Sequence, residues 1–153
     1  MSRVSASAAV KASLAEVWDY YFDPAGWPAW VDGFGRVESE TGYPDAGGSL
    51  RWVSTPAGRG TVTERVVEHE PRRIHRVSFE DPETTGQLTT TFAIQGDATV
   101  VQQELNYGLR EGGPFAKLTD RLFIRSQMRG SLGRSLARLK LEVEEAAAGT
   151  QPV

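Results

Sequence analysis

The chain has 153 residues and a net charge of −3, with 17 basic and 20 acidic side chains. This balance argues against nucleic acid as the main partner, because binding to phosphates requires a basic surface. The sequence contains no cysteine, which excludes disulfides, thiolate metal sites and a cysteine nucleophile.

Targeting segments are not evident. No apolar run approaches the roughly 20 residues that span a bilayer, and the N-terminus lacks the pattern of a signal peptide. We therefore expect a cytoplasmic protein without stable membrane insertion. Its length suits a single domain over residues 1–147, followed by a disordered tail over residues 148–153.

The N-terminal residues predict a strand and a short helix. From Arg3 to Lys11, small apolar side chains alternate with polar ones, as in a half-buried strand. Ser13 and Glu16 have the spacing of a capping box, which marks the start of a helix. One apolar face of that helix would be formed by Leu14, Val17, Trp18 and Tyr21.

The next segment, DPAGWPAWV over residues 23–31, contains two tryptophans, two prolines and a glycine. Asp23 and Pro24 can begin a helix, but Gly26 and Pro28 make a long one unfavourable. We expect a second short helix or turn. Its two tryptophans either close the end of a core or form the movable lip of a cavity.

From Phe34 to Tyr107 the hydrophobic period changes to two, and six strand candidates follow one another. Short turns separate them, including a tight hairpin at Gly96-Asp97. Six strands joined in this way indicate an antiparallel meander, and the first strand brings the total to seven.

A long helix completes the chain. Gly112-Gly113-Pro114 is expected to end the last strand and begin this helix. The helix carries a continuous apolar stripe, formed by Ile124, Met128, Leu132, Leu136, Leu139 and Val143. The order of elements predicts an α+β fold in which the long helix covers the concave face of a curved sheet.

This order, with the segments EVWDYYFDPAGWPAWV, ERVVEHEPRR and DRLFIRSQMRGSLGRSLARLKLEVEE, resembles the START-like (SRPBCC) superfamily. The resemblance covers residues 3–147 and is strongest for the small bacterial polyketide cyclase/dehydrase-like proteins. It implies the helix-grip fold, which has a seven-stranded curved antiparallel sheet, two short helices after strand 1 and a long C-terminal helix on the concave face. It also implies a mostly apolar cavity between sheet and helix, with the two tryptophans at its rim.

Members of this superfamily bind lipids, hormones, aromatic polyketides or quinone-like compounds, and a minority catalyse reactions in the cavity. The resemblance therefore implies binding of a small hydrophobic molecule, such as an aromatic polyketide-like compound, an isoprenoid or a lipid. A polyketide cyclase or dehydratase is the first alternative. A protein-interaction module with a filled cavity is the second. Assembly as a homodimer is also considered.

Several side chains are candidates for ligand contact. Four strand candidates each carry one large aromatic residue, namely Trp52, Phe79, Phe92 and Tyr107. Each would line the cavity if it faced inward, although core packing explains each equally well. Arg125 lies close to the apolar stripe of the long helix, where its guanidinium could anchor a carboxylate, phenolate or carbonyl oxygen, or instead reach solvent. The full candidate set is Trp27, Trp30, Trp52, Phe79, Phe92, Tyr107, Arg125, Met128 and Leu132.

No enzyme motif is present, and neither a metal nor a cofactor is expected. His69 and His75 lack a carboxylate at metal-ligand spacing and are expected to be surface or strand residues. Glu64 and Arg65 are adjacent, so one of the two points inward if their strand is covered. If the protein is an enzyme, the acid–base candidates are Tyr107, Arg125, Glu64 and His75.

A stripe of small residues, Ser126, Gly130, Gly133 and Ala137, runs beside the apolar stripe of the long helix. Two glycines inside a helix cost about 1 kcal/mol each relative to alanine. Close approach of the sheet or of a ligand would justify this cost. A kink or a dimer contact is the alternative explanation.

Overall fold

The structure is a computed structural model, in which residues 1–110 and 121–149 are described. The predicted Gly112-Gly113-Pro114 boundary lies outside the described residues. The strands are β1 (Ser2–Val10), β2 (Phe34–Thr41), β3 (Ser49–Ser54), β4 (Thr61–Glu70), β5 (Ile74–Glu80), β6 (Thr84–Gln95) and β7 (Ala98–Leu109). The helices are α1 (Leu14–Tyr21), a 3-10 turn (Pro24–Gly26), α2 (Trp27–Trp30) and α3 (Arg121–Gly149).

All seven strands form one antiparallel sheet in the order β1-β7-β6-β5-β4-β3-β2. The register shifts between Val66 and Glu68 in β4 and at two places in β2. Such irregularities bend a strand and increase its twist, which suits a sheet that wraps around a helix. The predicted α+β helix-grip fold is confirmed, including the short helices after β1 and the long C-terminal helix.

The predicted capping box begins α1. The hydroxyl of Ser13 accepts a hydrogen bond from the Glu16 backbone N–H at 3.1 Å, and the Glu16 carboxylate accepts one from the Ser13 backbone N–H at 3.3 Å. These bonds satisfy two donors that a helix start leaves free. The buried face of α1 is formed by Val17, Trp18 and Tyr21.

Helix α3 packs against β1, α1 and α2. Four residues of the predicted stripe, Leu132, Leu136, Leu139 and Val143, are buried, and Ile124 and Met128 are partly buried. The helix ends at Gly149, two residues beyond the predicted domain boundary, and residues 150–153 lie outside the described part. None of the helices in the described ranges is long and apolar enough to cross a membrane.

The glycines of α3 do not mark a close approach of the sheet. A Cβ added at Gly133 would meet no described atom outside its own turn within 4 Å, and one at Gly130 would meet only the end of the Arg134 side chain. Close approach of the sheet, one of the explanations considered for these glycines, is therefore wrong, and close approach of a ligand, a kink or a dimer contact stays a prediction.

Two leucines of α3 provide a test of this packing. Leu139 is fully buried, whereas Leu141 is 62% exposed. We expect Leu139→Ala to reduce the free energy of unfolding by about 2–5 kcal/mol, because the change removes buried methyl groups and leaves a cavity. Leu141→Ala should change it by about 0.5 kcal/mol or less. Urea denaturation of both variants measures the difference, and equal losses would contradict the described orientation of the helix.

Candidate ligand-binding site

A pocket of about 130 Å³ lies between the sheet, α2 and α3. Its walls are largely aromatic, with Tyr21, Trp27, Trp30, Phe34, Tyr43 and Trp52 contributing rings. Polar side chains from the sheet and from α3 reach the same space. The combination of ring faces and a few polar groups is typical of small-molecule sites.

The two tryptophans of α2 are both part of the core and part of the pocket wall. Trp27 is 5% exposed and Trp30 is 3% exposed. The indole N–H of Trp27 donates to the backbone carbonyl of Tyr21 at 2.8 Å. The indole N–H of Trp30 is buried without a hydrogen-bond partner among the described residues, which costs free energy. This segment therefore closes the core and borders the pocket at the same time, and its role as a movable lip stays a prediction.

Asp32, two residues after the end of α2, attaches this segment to α3. Its carboxylate accepts hydrogen bonds from the Ser131 hydroxyl at 2.8 Å and from the guanidinium groups of Arg134 at 3.0 Å and Arg138 at 3.2 Å. Its backbone N–H donates to the Ser135 hydroxyl at 2.9 Å. Burial alone would raise the pKa of Asp32, but the hydrogen bonds from Arg134 and Ser131 outweigh it and lower that pKa.

Glu64 is the inward-facing member of the Glu64–Arg65 pair, and Arg65 is exposed. Its carboxylate accepts a hydrogen bond from the indole N–H of Trp52 at 2.8 Å. Part of the side chain is accessible from the pocket, although protein atoms surround the carboxyl group. Burial raises the pKa of Glu64, and the Trp52 bond and the nearby Arg59 charge only partly offset this rise.

Arg59 supplies a cation to the pocket. Its Nε donates to the buried carboxylate of Asp81 at 2.8 Å. Its guanidinium carbon lies 5.0 Å from the ring centre of Phe79 and 5.8 Å from that of Trp52, within the range of cation–π attraction. Asp81 is held in turn by hydrogen bonds from Thr84 and the Glu83 backbone. The cation is therefore fixed in direction although it is partly exposed.

A row of polar side chains crosses the sheet beneath the pocket. His69, His75, Thr90 and Gln103 lie directly opposite one another on β4, β5, β6 and β7, so they share one face of the sheet. We call these four residues the polar row. The last three are at most 4% exposed, and all three line the pocket.

The hydroxyl of Tyr21 sits above one end of the polar row. It is 2.9 Å from the Thr90 hydroxyl and accepts a hydrogen bond from the Gln103 amide at 3.1 Å. Burial raises the pKa of Tyr21 to about 12, because it disfavours the phenolate more than these two bonds stabilise it. This hydroxyl therefore stays neutral near physiological pH.

Both histidines lie on strands, as expected, but His75 is not at the surface. It lies on a strand but is only 3% exposed. Its Nδ1 is 3.0 Å from Nδ1 of His69, and its Nε2 is 3.3 Å from the Tyr43 hydroxyl. Burial, followed by the influence of His69, lowers the pKa of His75 to about 3, so the ring is neutral at pH 7.

The pocket brings together only part of the predicted site. Six predicted residues line it: Trp27, Trp30, Trp52, Leu132, Glu64 and His75. Phe79 and Phe92 are buried in the core outside it, and Met128 packs against the core. Tyr107 is buried beside a separate cleft near the N-terminus. Of the four strand aromatics that would line the cavity if they faced inward, only Trp52 lines this pocket.

Arg125 is not among the residues that line the pocket. It is partly exposed, and its role as an anchor stays a prediction.

Sequence reasoning missed Arg59, Tyr43 and Asp32. All three lie in connections between regular elements, where hydrophobic periodicity carries no information about side-chain direction. Within the described ranges, no group of three or more His, Asp or Glu residues is placed to hold a metal ion.

Comparison with known proteins identifies the family. The sequence profile described as polyketide cyclase / dehydrase and lipid transport matches residues 1–144. The chain belongs to this family. Among curated proteins, none matches the sequence.

Solved structures share the fold of this polyketide cyclase / dehydrase family member at low identity. The TTHA0849 protein of Thermus thermophilus is 21% identical, with a TM-score of 0.72 over 98% of this chain and 100% of its own. A norcoclaurine synthase point mutant from Thalictrum flavum, solved with a transition-state analogue, is 16% identical, with a TM-score of 0.66 over 95% and 96%. The Aha1 dimer of Colwellia psychrerythraea is 13% identical, with a TM-score of 0.63 over 94% and 97%.

The raised pKa of Glu64 predicts a specific dependence of stability on pH. Above the ordinary carboxyl value of 4.5, the unfolded chain loses a proton that the folded protein retains. The free energy of unfolding of the wild type should therefore decrease as pH rises from 4.5 to the raised pKa of Glu64. Above that pKa, this group should cause no further decrease.

Glu64→Gln has no such ionisation, so its stability relative to the wild type should increase over this window and stay level below it. Urea denaturation between about pH 4 and 8 measures the difference. Trp52→Phe removes the donor that stabilises the carboxylate, so it should extend the window to higher pH. A flat difference between Glu64→Gln and wild type would show that the carboxyl is well solvated.

Proposed function

We propose that this protein binds a small, flat, mostly apolar molecule in the pocket between the sheet and α3, with an oxygen atom of that molecule directed at Arg59 and Glu64. The observation that carries the proposal is the placement of one cation and one buried carboxyl around Trp52 in a pocket walled by rings. Aromatic walls favour flat ligands, and the few polar groups fix their orientation.

The two polar anchors suit an oxygen acceptor. Arg59 donates hydrogen bonds from a permanently charged group whose direction Asp81 fixes. Glu64, where its raised pKa keeps it protonated, adds a second donor. A carbonyl, phenolate or carboxylate oxygen could accept from both. Aromatic polyketide-like compounds meet this requirement directly, whereas an isoprenoid or lipid meets it only through an oxygenated end.

Arg59 can be tested against the anchor predicted from the helix, Arg125. The probes are 2-naphthoate and 2-methylnaphthalene, which are similar in size and differ in the carboxylate. We expect Arg59→Met to weaken binding of 2-naphthoate about tenfold, since a charge-assisted bond at a partly exposed site is lost. Binding of 2-methylnaphthalene should stay within about twofold, because it relies on the walls.

Quenching of tryptophan fluorescence measures both affinities, since three of the four tryptophans line the pocket. Arg125→Met is the matched control and should bind both probes like the wild type. Loss of 2-naphthoate binding in Arg125→Met alone would make Arg125 the anchor and reject Arg59. If a broad panel of apolar compounds changes neither fluorescence nor melting temperature, ligand binding itself is rejected. Native mass spectrometry of protein purified from its own host would identify a retained ligand.

A cyclase or dehydratase is a second candidate, because a carboxyl group with a raised pKa beside a fixed cation suits acid–base chemistry. Glu64 would donate a proton to a departing hydroxyl or receive one from carbon. Arg59 would stabilise negative charge on a carbonyl oxygen of the substrate. The interaction-module alternative requires a filled cavity and therefore has less support from this geometry.

A further inference from the structure

We propose that Tyr43, His75 and His69 form a proton path that connects the pocket with the solvent. Tyr43 and His75 line the pocket, and His69, at the far end, is partly exposed. The inference goes beyond the proposed function. It needs the pocket but no particular ligand, and it serves any bound compound that gains or loses a proton on oxygen.

The hydrogen bonds form an unbroken chain. The Tyr43 hydroxyl lies 3.3 Å from His75 Nε2, and His75 Nδ1 lies 3.0 Å from His69 Nδ1. Two facing nitrogen atoms at this distance share one proton, since two lone pairs or two N–H groups would repel each other. Both ring nitrogens of His75 are therefore engaged, one toward the pocket and one toward the surface.

The surroundings keep the two rings in place and uncharged. Phe22 packs edge-on against both imidazoles, with ring centres 5.3 Å from His69 and 4.8 Å from His75. Trp18 covers His69 at 5.2 Å. Burial lowers the pKa of His69 as well, although Asp45 opposes this effect. Two neutral rings joined by one proton can pass that proton in either direction.

The transfer of one proton along this path leaves Tyr43, His75 and His69 with the same number of protons and the same charge as before. A proton leaves an oxygen of the bound compound for the Tyr43 oxygen as the Tyr43 hydroxyl proton moves to His75 Nε2. The proton on His75 Nδ1 moves to His69 Nδ1, and the proton on His69 Nε2 leaves to water. The O–H and N–H bonds broken equal those formed, and no oxidant or second substrate is needed. The buried phenolate, whose formation is unfavourable, is never fully formed.

Tyr21 provides an internal reference in the same pocket. Its hydroxyl is bonded to Thr90 and Gln103, two groups that do not carry protons onward near neutral pH. Exchange of its proton depends on pocket water alone. The proposal therefore predicts that only the Tyr43 hydroxyl depends on His69.

The experiment measures hydroxyl exchange without any ligand. Protein labelled with ¹³C at tyrosine Cζ is placed in an equal mixture of H₂O and D₂O, where the isotope shift of each Cζ signal reports exchange of its hydroxyl. We expect His69→Gln to slow exchange at Tyr43 by roughly a hundredfold, the lower end of what a positioned acid–base group contributes. Tyr21 should keep its wild-type rate. Glutamine can still accept a hydrogen bond from His75 but cannot exchange ring tautomers.

Unchanged exchange at Tyr43 in His69→Gln, or equal slowing at Tyr43 and Tyr21, overturns the path. If the variant does not fold, the ¹⁵N shifts of the wild-type imidazoles decide. One Nδ1 of the pair must be protonated and the other bare at neutral pH, and two protonated or two bare Nδ1 atoms reject the proposal. Failure of the naphthoate assay would reject ligand binding and leave these measurements unaffected.

Discussion

The attachment of Asp32 to α3 is the interaction on which the pocket depends. The two tryptophans of α2 form part of the pocket wall, and a four-residue helix has too few internal hydrogen bonds to hold them by itself. The Asp32 carboxylate joins the end of α2 to Ser131, Arg134 and Arg138, three residues on successive turns of the long helix. Because Arg134 and Arg138 keep this carboxylate ionised and their own charges are permanent, the attachment persists over a wide pH range.

The pocket combines two environments that are usually kept apart. Rings from α1, α2 and the sheet form much of its wall, while the polar row and Glu64 bring hydrogen-bonding groups into the same interior. Polar groups in such a place are costly unless they are paired, and here they pair mainly with one another. Burial shifts the pKa values of Tyr21, Glu64 and His75 toward their uncharged forms, and it leaves Tyr21 and His75 neutral near pH 7. Arg59 and Asp32, which also line the pocket, carry charges that are balanced by partners, Asp81 for Arg59 and Arg134 and Arg138 for Asp32.

Shared fold does not decide among binding, catalysis and protein interaction. The structural relatives include an enzyme solved with a transition-state analogue and a protein that forms a dimer, and both are less than 20% identical to this chain. The helix-grip architecture supplies the space between sheet and helix, and the side chains that enter it define the chemistry. In this chain the side chains that line this space include Arg59, Glu64, Tyr43 and His75.

The sequence by itself determined the elements and their order. Periods of two and 3.6, the capping box at Ser13 and the turn residues are local signals, and each predicted strand and helix in the described ranges formed where these signals placed it. Tertiary structure decided which side chains meet. The helical period places Arg125 near the apolar stripe, and this fixes the direction of its side chain around the helix axis. It does not say how far the pocket extends along the helix. Arg59, Tyr43 and Asp32 lie in connections whose side chains follow no period, and their partners Asp81, His75 and Arg134 are distant in sequence. Contacts of this kind arise only when the strands assemble and the helix packs on them, so only the folded chain could reveal them.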